Sequence, residues 1–512
     1  MKVILVVLAL AGLLTLPLAA SAQEDITLEP VTIDLFGIDT LVPEGWTNVG
    51  PGAFMRQASA GDMTVLAQQA APLRAEALLQ ASLPQFLLTE APDPVAEVTT
   101  DSLTWSVYQI DVAVPSQGTV RVDLAIAQGP NQSYALLLQT TPEDYDTLHE
   151  QVFLPILQAY APVGAQTDAT ADLPYTEEEV SFPGGADDVT LAGTLTLPAG
   201  EGPFPALVLV TGSGAQDRDE TIGQMKPFAL LADALTRAGV AVLRYDDRGS
   251  GASTGNFLSA TTAEFTADAI AAIQYLESRD DINPDEVGML GHSEGGVVGA
   301  GVGAQNAADF IISLAGTAVG GVDLILQQNR RVMAAEGATQ EQIDAQLTTL
   351  EQVLPLVVDG DLDAAMQIAR EATLAAFEML DAETQNQFGS AEQYADIAVP
   401  AAMAQLTQPW YLHFLSLNPA DNWAQTTVPV LGLFGTLDVQ VDAEQNAGPM
   451  EAALAEAGNE DVTIVVIPGA NHLFQAATTG AVSEYGTLPP EFTPDLIPTI
   501  IDWLSDHVTL SQ

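Results

Sequence analysis

Cysteine is absent from all 512 residues. That excludes disulfides, thiolate nucleophiles, Cys-ligated zinc and a lipid-modified N-terminal cysteine. Cations are almost as scarce: 13 Lys and Arg stand against 68 Asp and Glu, a formal net charge of −55. So anionic a surface repels phosphate backbones and anionic headgroups, which argues against nucleic acid as a partner. The five histidines (149, 292, 413, 472 and 507) are never spaced as metal ligands are, so no metal centre is expected. Beyond the N-terminus no uninterrupted apolar run reaches about 18 residues, the length of a membrane span. What is present is apolar mass. Hydrophobic residues make up 47% of the chain, ample for large cores and a poor composition for disorder despite the charge. At roughly 150 residues per domain, the length suits two to four domains.

The N-terminus reads as an export signal. Met1-Lys2 precedes an apolar run from Val3 to Leu18, then Ala20-Ser21-Ala22 and the acidic Glu24-Asp25. A basic start, an apolar stretch and small residues form a signal-peptide pattern, with cleavage expected after Ala22. A secreted or periplasmic protein without stable membrane insertion follows from that reading.

Residues 162–174, small and polar with proline near each end, read as a linker between two parts. In the first part, residues 28–161, Val120, Val122, Leu124 and Ile126 alternate as in a strand, and Ser133–Gln139 is a second such stretch. Residues 143–160 carry one apolar helical face (Leu148, Phe153, Ile156 and Leu157), with a kink expected at Pro155. An α+β domain is the expectation, with His149 structural. The phrase Leu41-Val42-Pro43-Glu44-Gly45-Trp46, with the late strand and closing helix, resembles the PsbP/Mog1-like fold.

The second part, residues 175–508, changes period. After a strand pair at 176–182 and 189–197 come short apolar runs at 206–210, 240–245, 287–290, 310–315, 430–434 and 462–467. These read as strands of a parallel sheet buried on both faces. Helical stretches separate most of them, 225–238 and 262–278 among them, the latter opening on the capping box Thr261-x-x-Glu264. An α/β fold of this kind carries its sites at the carboxyl ends of the strands.

Gly291-His292-Ser293-Glu294-Gly295 stands between such a strand and a small-residue helix, the context that G-x-S-x-G requires. The flanking glycines permit a turn too sharp for Cβ atoms, and the turn projects Ser293. A serine hydroxyl needs a base oriented by a carboxylate. In the chain order Ser, acid, His, the candidates are Asp438, directly after the 430–434 strand, and His472, directly after the last strand. Asp442 is the alternative acid. For the oxyanion, the backbone N–H of Glu294 is one expected donor. Ser213 in the glycine-rich loop after 206–210 is the other, with Gly214 and Ala215 as alternatives.

Four phrases then carry a resemblance: Gly212–Glu220, Arg244–Ser253, Gly291–Gly296 and Asn471–Gln475, in family order. Residues 175–508 resemble the α/β-hydrolase superfamily, and within it secreted bacterial carboxylesterases of the serine aminopeptidase and lysophospholipase-like group. The resemblance implies a Ser-Asp-His carboxylesterase acting on small-molecule esters, or on peptide amides by the same triad, without cofactor. A non-catalytic binding protein on a hydrolase scaffold is the reading from another class. Thr211 departs from the histidine that many relatives carry before the loop glycine.

Two further expectations concern the surroundings. Residues 317–425 exceed a minimal connection and read as a helical cap, with Met333, Met366, Phe377 and Met379 as pocket lining or as cap core. Five of the 13 cations (Arg218, Lys226, Arg237, Arg244 and Arg248) fall within 31 residues. Arg218 and Arg248 are expected to pair with Asp217, Asp219, Asp246 or Asp247 and so to brace the oxyanion loop.

Overall fold

The computed structural model describes residues 26–56, 64–86, 88, 90–114, 118–129, 132–163, 173–378, 385 and 390–510. The expected signal segment, most of the expected linker and Met379 lie outside the described residues. Contacts divide the chain into two compact units, residues 1–171 with 370–401 and residues 172–369 with 402–512.

The first unit is built on a seven-stranded antiparallel sheet. Its order is Thr47–Gly50, Ala53–Met55, Val65–Ala71, Ser133–Thr140, Gly118–Gln128, Thr104–Val114 and Ala96–Thr99. A smaller sheet joins Leu28–Ile33, Ile38–Pro43 and Ala161–Pro162. Val120, Val122, Leu124 and Ile126 are buried, but so are Ala125 and Ala127 on the opposite face. The sheet is covered on both sides: helix Ala75–Ser82 contacts the central strands, and the closing helix joins the core around Trp105 and Ala125. That closing helix is not one kinked rod. It runs as α-helix over Tyr145–Leu148, widens to a π-turn over His149–Phe153, and resumes at Leu154–Ala159. Pro155 has no N–H to give and its ring crowds the carbonyl four residues back; the wider turn lies immediately before it. His149 Nδ1 lies 2.6 Å from the fully buried Asp123, which also accepts from Tyr145 at 2.7 Å.

The second unit carries an eight-stranded sheet: β1 Thr176–Pro183, β2 Thr190–Leu197, β3 Phe204–Val210, β4 Ala241–Tyr245, β5 Ile282–His292, β6 Ile311–Leu314, β7 Val430–Gly435 and β8 Val462–Ile467. Its order is β1-β2-β4-β3-β5-β6-β7-β8. β1 and β2 pair antiparallel, as do β2 and β4, and every later pair is parallel. This is the α/β-hydrolase sheet. β3 is buried at all seven positions and β7 at all six, which is why both sequences are continuous apolar runs rather than alternating ones. Helices α1 Pro227–Arg237, α2 Thr262–Glu277 and α3 Glu294–Ala304 link the central strands. The capping box at α2 forms as its sequence specifies, Thr261 accepting from the first turn and Glu264 reaching back.

Between β6 and β7 the chain is helical: Gly321–Ala335, Gln340–Asp359, Leu362–Phe377, Ala391–Leu406, Pro409–Ser416 and Ala420–Trp423. Within the first unit, Phe377 is buried against Tyr394, ring centroids 5.7 Å apart, so it serves the packing of these helices. Met366 is 41% exposed.

Candidate active site

β5 ends at His292 and α3 begins at Glu294, so one residue, Ser293, makes the entire turn. Its backbone sits at φ 55° and ψ −113°, a conformation side chains rarely adopt and one that costs on the order of 1–3 kcal/mol. The surroundings hold it there. Ser293 N–H donates to the Leu314 carbonyl of β6 at 2.8 Å. A Cβ on Gly291 would lie 2.0 Å from the Gly295 carbonyl oxygen, and one on Gly295 would lie 2.1 Å from that of Val210. Both glycines are therefore demanded by the turn. Ser293 Oγ makes no hydrogen bond among the described residues; in such sites the bond to the base commonly tightens only as substrate engages.

The expected acid and base meet. Asp438 follows β7, His472 follows β8, and His472 Nδ1 lies 2.8 Å from Asp438 Oδ2. The other carboxylate oxygen accepts the backbone N–H groups of Gln440 and Val441 at 2.8 and 2.9 Å. Both residues are buried, and burial holds the His472 imidazole below its ordinary range although Asp438 pulls the other way. The ring is thus neutral near pH 7, with the carboxylate fixing its orientation. Asp442, the alternative acid, is engaged elsewhere. It caps the helix Ala443–Glu456 and accepts from Gln327 at 2.8 Å and Arg331 at 3.2 Å.

The loop after β3 lies against the nucleophile: a Cβ on Gly212 would come within 3.2 Å of Ser293 Cβ. Gly212 N–H is spent on Glu220 Oε1 at 2.8 Å. Ser213 comes next, half-buried, and its amide has no acceptor among the described residues; the same is true of Gly214 and Ala215. Glu294 opens α3, where first-turn N–H groups have no partner within the helix. Thr211, in place of histidine, donates to Asp247 Oδ1 at 2.8 Å while Gln216 N–H donates to Oδ2 at 3.0 Å, so one buried carboxyl ties both ends of the loop.

The cation cluster divides. Arg218 reaches Asp246 through Nε at 3.1 Å and Nη2 at 2.9 Å, and its own N–H donates to the same carboxylate at 2.9 Å. Arg218 also donates to Glu179 at 2.6 Å and Thr194 at 2.7 Å. Arg244 pairs with Asp219, and Lys226 stands 3.4 Å from the same residue. Arg248 corrects the expectation. Its fork grips Asp268 of α2 at 2.6 and 2.8 Å and the Glu264 carbonyl at 3.0 Å, not any acid of the loop. Asp247 is already satisfied by loop donors, and Asp217 by Thr221 and the Asp219 amide. Arg237 forms a surface pair with Asp233 one helical turn away.

Two side chains that flank the nucleophile enter the site without having been singled out in the sequence. Glu294 is 5% exposed and accepts from Thr262 at 2.6 Å and from Trp410 Nε1 at 2.8 and 2.9 Å. With Thr211, Asp247, Arg248, Tyr245 and Phe265 it lines a small cavity whose walls are both polar and apolar. His292 is buried between two acceptors, Glu220 and the His472 carbonyl. A charged or titratable residue on each side of an elbow serine was the signal available in the sequence. Among the described residues, no three His, Asp or Glu side chains converge as metal ligands do.

The esterase EstD of Thermotoga maritima is 30% identical over 284 residues, 55% of this chain. The chain spans only 58% of the length of that curated relative. Among solved structures, the esterase PF2001 of Pyrococcus furiosus matches 68% of this chain and 96% of its own, at 14% identity and a TM-score of 0.40. The α/β-hydrolase GrgF of Penicillium sp. sh18 matches 65% and 99%, at 18% identity and a TM-score of 0.40. The sequence profile described as X-Pro dipeptidyl-peptidase (S15 family) matches residues 187–461. That match spans more than half of the chain, and the chain belongs to the X-Pro dipeptidyl-peptidase (S15) family.

Proposed function

We propose that the protein is a serine hydrolase that cleaves carboxylic esters through an acyl-enzyme, with Ser293, His472 and Asp438 as its triad. The observation that carries the proposal is the strained backbone at Ser293 on a β5–α3 turn, combined with a buried Asp438–His472 pair on the loops after β7 and β8. In this reading His472 Nε2 takes the Ser293 proton as Oγ bonds to the acyl carbon. The oxyanion is held by the N–H groups of Glu294 and Ser213. Collapse breaks the ester C–O bond, and the leaving alcohol takes the proton from His472. Water then repeats the sequence and releases the acid. Arg218 supports the step by tying the oxyanion loop to Asp246.

A second reading, cleavage of peptide amides by the same groups, is favoured by the family's description, whereas the 30% identical relative is described as an esterase. The leader-like residues 1–22 support export, which sequencing the N-terminus of the protein recovered outside the cytoplasm tests.

The deciding experiment is a panel of nitrophenyl esters of increasing acyl length beside Xaa-Pro nitroanilides, with Ser293→Ala as control. Ester turnover abolished by Ser293→Ala supports the proposal. Turnover of the anilides alone establishes the second reading, and full activity in Ser293→Ala refutes the mechanism.

A further inference from the structure

His292 precedes the candidate nucleophile and is only 5% exposed. Its ring nitrogens face two different elements. Nε2 lies 2.9 Å from the backbone carbonyl of His472, and Nδ1 lies 2.7 Å from Glu220 Oε1. A carbonyl oxygen only accepts, so Nε2 carries a hydrogen. A carboxylate oxygen also only accepts, and this one already takes the Gly212 N–H at 2.8 Å. With acceptors on both sides the ring holds both protons, and Glu220, 1% exposed, supplies the balancing charge. Glu220 is itself held at a left-handed φ of 52°.

We propose that His292 is a positioning residue of this active site: an imidazolium clamp joining the elbow to the oxyanion loop through Glu220 and to the base loop through the His472 carbonyl. The proposal rests on the serine-hydrolase reading and adds to it the part that holds the three loops in register. Removing either arm frees a loop whose amide or imidazole must meet the reacting atoms within a fraction of an ångström.

The clamp also acts by its charge. The titratable and charged groups facing it are Glu220, His472 and Asp438. Burial opposes its protonation, but Glu220, the His472 carbonyl and Asp438 outweigh burial and hold it above the ordinary histidine range. Its ring centroid lies 4.8 Å from that of His472. A cation there disfavours a second one on His472, so the base stays unprotonated to lower pH.

Two variants separate the arms. His292→Asn keeps an amide donor near Glu220 and loses the His472 carbonyl, while His292→Gln does the reverse. Each is expected to lower kcat on the order of ten- to a hundredfold with a smaller change in KM. Both also remove the charge, so the acid limb of the kcat/KM profile is expected to move up by about one pH unit. On the wild-type chain, nitrogen NMR of labelled histidine is expected to show the His292 ring doubly protonated at pH 8. The signal is assigned by elimination with His149→Gln, His413→Gln, His472→Gln and His507→Gln. Folded variants with unchanged kcat and an unmoved acid limb would overturn the clamp. So would a neutral His292 in the spectrum, which decides the matter even if the variants do not fold. Phosphonylation of wild-type Ser293 by a fluorophosphonate separates the two failures: a wild-type chain that does not react fails the hydrolase reading, whereas the spectrum still judges the clamp.

Discussion

Glu294 has two parts that pull against each other. Its backbone N–H is the proposed donor to a developing negative charge, while its side chain brings a carboxyl into the same buried corner. Burial pushes that carboxyl up to about 7, against the donors Thr262 and Trp410, which favour the ionised form. The sign follows directly. A carboxyl at 4.5 in the unfolded chain and about 7 in the folded one makes the folded state the better proton acceptor in between. The stability this contributes is complete below pH 4.5 and is lost as pH rises through 7. A displacement of that size is worth on the order of 3 kcal/mol. Glu294→Gln cannot titrate, so the difference in melting temperature between wild type and Glu294→Gln is expected to shift against the wild type from pH 5 to pH 8. Thermal unfolding at several pH values measures it, and parallel curves would show that Glu294 is not perturbed. The same titration removes a negative charge beside the oxyanion site on the acid side, so the two effects of low pH act together.

The oxyanion loop, unlike the strands it joins, has no hydrophobic face to hold it, and its shape depends on ion pairs and glycines. Arg218 binds it to Asp246, which is buried and also accepts the Ala252 N–H at 3.0 Å. Truncation leaves that carboxylate without its cation, and breaking a buried pair from one side typically costs about 3–5 kcal/mol. Arg218→Ala is expected to lower the melting temperature and to reduce kcat more than it raises KM. Steady-state kinetics and thermal unfolding check both, and an effect confined to KM would assign Arg218 to substrate contact instead. How much of the site was legible follows the same division between strands and loops. β3, β5, β7 and β8 are apolar runs, so their ends, and with them Ser293, Asp438 and His472, could be placed from the chain alone. Loop partners could be placed only in part: Arg218 finds Asp246, one of the acids expected for it, but Arg248 turns to Asp268, 20 residues on, because competing donors had already claimed Asp247. His292 stood in plain view inside the elbow. A search for a base downstream of the serine passes over it, since its partners come from 72 residues before and 180 residues after. Helix Pro409–Ser416 falls within the expected helical cap, with Pro409 at its first position as a start signal. Its Trp410 reaches Glu294, which no periodicity reveals.

At the scale of the whole molecule, the net charge of −55 is not evenly relieved. Three of the 13 cations, Arg218, Arg244 and Arg248, have side chains at most 17% exposed and are paired with acids beneath the surface. Those pairs neutralise carboxylates that solvent hardly sees, so the outer surface keeps nearly all of its negative charge. Two consequences separate cleanly with salt. Between about 0.01 M and about 1 M the screening length falls from roughly 30 Å to roughly 3 Å, which weakens surface repulsion far more than buried pairing. The melting temperature is therefore expected to rise with sodium chloride; a fall would mean that exposed pairs such as Arg237–Asp233 dominate the balance. The same field acts on substrates before they reach Ser293. A cationic ester is drawn in and an anionic one held off, so at low salt kcat/KM should favour a choline ester over a succinyl ester of equal length. Added salt should bring the two values together from opposite sides. If both instead change alike, the field at the entrance is local and the charge of the molecule as a whole does not choose its substrates.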